Sequence, residues 1–181
     1  MFSQNESASK HQIYFVSLKQ KFKTRKMNLT DDSRIWIFQS NRKFSTSEKE
    51  AITAKLNNFI ADWNAHGAEL LADFDLPFDQ FIVVGVDEKQ ATASGCSIDK
   101  LTKLIREIDA DYSYDLLNRM LVSYEDQEQV VVEKLPTFKQ KVKAGEITNV
   151  NVFNNGVSSL SDFKQNWLLP LEDSWAKTLL N

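Results

Sequence analysis

The run FIVVGV at residues 81–86 constrains the fold most. Every position is apolar or glycine, with no polar alternation. A strand that shows one face to water alternates, and a strand buried on both faces does not. The segment therefore predicts a central strand with material packed on each side. ELLADFDLPFDQ, just before it, reads as a neighbouring strand with LPFD as the turn between them. RIWIFQS at 34–40 is apolar on both faces and predicts a further central strand.

Between these strands the period changes. Ser45 with Glu48 fits a capping box. Ile52, Leu56, Phe59, Ile60 and Trp63 then recur at helical spacing. This predicts a helix over 46–66, with His66 in its last turn and Gly67 as a left-handed stop. After the polar loop DEKQATASGC, Ile98, Leu101, Leu104, Ile105, Ile108 and Tyr112 predict a second helix over 97–111, with Ser97 as its N-cap. RMLVSYEDQEQVVVEKL reads as a hairpin turning at EDQEQ. Pro136 opens a short helix that pairs Phe138 with Val142 and stops at Gly145. NVNVFNN is a short strand, and two short helices broken before Pro170 end the chain. The class is α+β: a ferredoxin-like split βαβ order, β-α-β-β-α-β, with an added C-terminal β-α-β-α-α region.

Charge divides the chain. Residues 1–26 hold six cations against one acid, net +5, in a protein of net −3, so the remainder carries −8. The composition breaks at Met27. The expected organisation is a disordered extension over 1–26, upstream of a natural start at Met27, and a single α+β domain over 27–181. An acidic body disfavours nucleic acid as partner. One cysteine and two histidines are too few for a closed structural zinc site, so no metal is expected, and no cofactor motif occurs. No apolar run is long enough to cross a bilayer, and a cytoplasmic protein is expected.

RIWIFQSNRK, DWNAHG, ASGCSID, VFNN and the Trp-rich NWLLPLEDSW resemble stretches of a family of small bacterial proteins about the length of residues 27–181. Members of that family are commonly labelled "ABC transporter ATPase". A nucleotide-binding P-loop needs a glycine followed by Lys and then Ser or Thr. None of the glycines at 67, 85, 95, 145 and 156 meets that requirement. The residues do not support ATPase activity.

Polar chemistry collects at one end of the expected fold. In a ferredoxin-like order the first helix ends where the second begins. That places His66 near Cys96, with Asp87, Glu88 and the EDQEQ turn at the same end. A cysteine at a helix N-terminus beside an imidazole has the logic of an activated nucleophile. The bland alternative is a small loop cysteine and a capping histidine. Gly95 and Ser97 could aim backbone N–H groups at an anion, or simply cap the helix. Arg42 could pair with an acidic ligand at the opposite end, or solvate its loop. Asn154 and Asn155 read as a turn with left-handed residues. The four tryptophans read as core and docking anchors. Two functional readings follow. One is a non-catalytic binding or interaction module whose partner, an unknown small molecule or protein, is not named by the sequence. The other is a small enzyme or anionic-ligand-binding protein using Cys96 and His66.

Overall fold

The structure is a computed structural model that describes residues 25–65, 67–89 and 91–180. It is an α+β fold built on two antiparallel sheets. In the first, β5 (Phe81–Asp87) lies between β1 (Arg34–Gln39) and β4 (Leu71–Asp75). All seven residues of β5 are buried. Ile82, Val84 and Val86 face a core formed with α1 (Thr46–Asp62) and α2 (Gly95–Tyr112). Phe81 and Val83 face the other way, onto Phe153, Val157, Leu160, Phe163 and Trp167. The continuous apolar run is thus explained by cover on both faces, and both long helices share one face as expected.

Gly85 is required by close approach. A Cβ there would lie 2.5 Å from Leu29 Cδ1, on the face that residues 27–29 cover.

The second sheet has the order β7-β6-β8-β9, formed by Gln129–Lys134, Leu121–Asp126, Asn151–Phe153 and Leu168–Pro170. Here the chain departs from the ferredoxin-like order, which would set β6 beside β1. The outer edge of β1 is taken at its start by a single bridge between Arg34 and Ser159. Ile35 N–H donates to Ser158 O at 3.0 Å, and Leu160 N–H to Ser33 O at 2.9 Å. β6 lies in the other sheet and meets β1 through the Ser123 hydroxyl on the Gln39 side chain. α3 (Leu135–Lys143) packs Phe138 and Val142 on the second sheet and ends before Gly145 at φ +70. α4 (Leu160–Asn166) caps the seam between the two sheets.

The Ser45–Glu48 capping box forms as expected. The end of α1 does not. The helix stops at Asp62, because Trp63 turns extended and donates its indole N–H to Ser97 O at 2.9 Å. Gly67, at φ +85, instead turns a minimal hairpin of β2 (Asn64–Ala65) and β3 (Ala68–Glu69). The N-cap of α2 is Ser94 rather than Ser97. Ser97 is the third helical residue, 1% exposed, and its hydroxyl donates back to Ser94 O at 2.8 Å.

Most of the 1–26 extension lies outside the described residues. Its last two positions do not, and Arg25 pairs with the buried Asp73 at 2.9 Å.

Candidate functional site

The end of the fold expected to hold the chemistry is well tied down. Gly95 and Cys96 are the first two residues of α2, and the Cys96 thiol is exposed. Ser97 is consumed by the helix start. Asp87 accepts from Lys89 N–H at 3.0 Å and from Thr30 Oγ1 at 2.8 Å, and these bonds hold its carboxyl below its ordinary range. Glu88 accepts from Ala93 N–H at 3.0 Å. Both carboxylates therefore clasp the loop leading into α2. His66 lies outside the described residues. The contact between the end of α1 and the start of α2 is made by Trp63 and Ser97, joined by Lys100 Nζ on Asn64 Oδ1 at 3.3 Å. The EDQEQ turn is at the opposite end, where Gln129 accepts from Lys43 Nζ.

Arg42 is also committed. Its guanidinium bonds both carboxylate oxygens of Glu48, at 3.0 and 2.8 Å, and lies 4.6 Å above the Tyr114 ring. The Arg42 guanidinium, with the Ser45 N–H, holds the Glu48 carboxyl well below the usual range. Burial, and then Glu48, push the Tyr114 phenol up. Arg42 locks the start of α1 to the end of α2.

A different site forms at the seam of the two sheets, from residues that the sequence marked as a turn and as anchors, or not at all. Gln39 ends β1 and is 7% exposed. Its Oε1 accepts from Ser123 Oγ on β6 at 2.7 Å and from Asn155 Nδ2 at 2.7 Å. Asn155 Oδ1 accepts in turn from Trp167 Nε1 at 3.0 Å. An indole N–H can only donate. It therefore fixes which atom Asn155 turns toward it, and so which atom Asn155 turns toward Gln39. The amide N–H of Asn155 must find an acceptor, so Gln39 presents oxygen. Gln39 Nε2, buried, is left without a partner.

Gln39 lines a cleft of about 290 Å³ together with Arg119, Leu121, Leu135, Phe153 and Trp175 among others. Its walls are mostly apolar. Trp175 is 40% exposed, unlike the buried Trp63 and Trp167. Asn154 and Asn155 do make a turn here, but neither is left-handed. Asn154 Oδ1 accepts from Gly156 N–H, and Asn154 O from Val157 N–H. Sequence offered one indirect signal for this site: Gln39, Asn155, Trp167 and Trp175 fall in RIWIFQSNRK, VFNN and NWLLPLEDSW, three of the stretches on which the expected resemblance rests.

Among the described residues no group of three His, Cys, Asp or Glu could hold a metal ion, and no helix is long and apolar enough to cross a membrane. No family model, curated protein or solved structure matches this chain.

Proposed function

We propose that this protein is a non-catalytic binding module whose ligand occupies the seam cleft. One observation carries the reading. Gln39 lines the cleft, its carbonyl oxygen accepts two hydrogen bonds, and its amide N–H groups, closed to solvent, have no partner among the described residues. An unpaired buried donor costs about 1–3 kcal/mol, and a ligand acceptor that opens the cleft wall onto Gln39 would recover it. The chemistry of the lining favours binding over catalysis. Its single charged side chain is Arg119, and its single hydroxyl, Ser123, gives its hydrogen to a neutral amide that cannot act as a base. Three of the stretches that resemble the bacterial family, RIWIFQSNRK, VFNN and NWLLPLEDSW, converge on this cleft.

A fragment screen read by 15N NMR tests the reading. Binders should cluster on the Trp175 indole and the Gln39 side-chain amide. Hits that gather instead around Cys96 and Lys100, with the cleft signals unmoved, would move the function to the start of α2.

A further inference from the structure

We infer that the seam cleft selects a small carboxylate with an apolar body, an inference that rests on the cleft being the ligand site. The charged and unpartnered groups of the lining are donors. Gln39 Oε1 accepts two hydrogen bonds within the protein, and Asn155 Oδ1 and Asn154 Oδ1 accept one each. Trp175 Nε1 donates to Phe153 O at 3.1 Å. The lining side-chain donors without a partner among the described residues are the Arg119 guanidinium, the amide NH2 of Asn154 and, behind the cleft wall, the amide NH2 of Gln39. Arg119 is exposed and forms no ion pair among the described residues.

Charge points the same way. The body of the chain is acidic, yet no carboxylate lines this cleft and the one charged group is a cation. A planar guanidinium in the lining matches the two oxygens of a carboxylate. Leu121, Leu135, Phe153 and the Trp175 ring then receive an apolar body. The volume is at the small end of ligand sites, which fits a small acid rather than a nucleotide.

Benzoate and its neutral isostere benzamide test this on the full chain, by titration while following the Trp175 indole signal. Benzoate should bind the more tightly. Arg119→Met should weaken benzoate by about tenfold or more, leave benzamide within about twofold, and leave the melting temperature unchanged. Gln39→Glu keeps an oxygen for Ser123 and Asn155 but turns the free donor into an anionic acceptor. It should abolish benzoate binding. Benzamide binding at Trp175 while benzoate does not would overturn the carboxylate class and keep the cleft as the ligand site. Benzoate binding that neither substitution alters, or no shift of Trp175 with either probe, would overturn the inference.

Discussion

The Trp167 indole donates to Asn155 Oδ1 across 3.0 Å, and that bond sets the direction of two further amides. Trp167 is 4% exposed and packed against Phe81, Phe153 and Phe163. The ring is buried, and Asn155 supplies the acceptor for its N–H. Asn155→Ala removes it and should cost about 1–3 kcal/mol, the penalty of an orphaned buried donor. Ser123→Ala removes only one of two donors to Gln39 and should cost about 1 kcal/mol. Urea melts of the two variants should preserve that ranking. Equal costs would mean that the indole is satisfied some other way.

Arg25 reaches back to Asp73, whose side chain is 8% exposed while Arg25 is 58% exposed. Asp73 keeps its bonds from Asn28 N–H and Phe74 N–H without it. Arg25→Met should therefore lower stability by only about 1 kcal/mol, discounted for the exposed partner. Removing residues 1–26 should cost at least as much as this substitution. A truncated protein with an unchanged melting temperature would show that the two backbone donors suffice.

The Glu48 carboxyl is held low by Arg42 and the Ser45 N–H. A depressed carboxyl contributes stability above its unfolded value, and the contribution is lost as pH falls toward its folded value. Below about pH 4, the unfolded range for glutamate, the native protein should lose stability more steeply than Glu48→Gln. Parallel acid melting curves would remove Glu48 from the account.

Burial, reinforced by the Glu133 carboxylate, pushes the Tyr124 phenol up to about 12. A raised phenol stabilises the fold while neutral, so its contribution is intact below about pH 10 and is lost as pH approaches the folded value. Absorbance at alkaline pH should show a late transition that Tyr124→Phe deletes. A Tyr124 transition near its ordinary value would mean that the Tyr124–Glu133 contact at 3.3 Å opens in solution.

What the sequence made legible was the burial of individual elements. FIVVGV announced a strand covered on both faces, and the stripes from Ile52 to Trp63 and from Ile98 to Tyr112 placed two helices on one core. Partnership between strands was not legible. β6 reads as a strand in any sheet, and what diverts it is a short Ser-rich segment at 158–160 with no strand pattern of its own. The end of α1 was overrun because Trp63 continues the helical spacing, while its indole prefers a carbonyl 34 residues away. The candidate site was hidden for the same reason. Gln39 meets Ser123 and Asn155 across 84 and 116 residues, and each alone is an ordinary polar residue at a strand end or turn.

Ligand binding at the seam depends on the orientation of one buried amide. Neutron diffraction from crystals exchanged into deuterated water shows directly which atom of Gln39 carries deuterium. We predict two deuterons on the atom turned away from Ser123 and Asn155, and one Asn155 deuteron directed at Gln39 Oε1. Deuterium on the Gln39 atom that faces Asn155 would reverse the network, leave an acceptor at the cleft, and contradict both the binding site and its preference for a carboxylate.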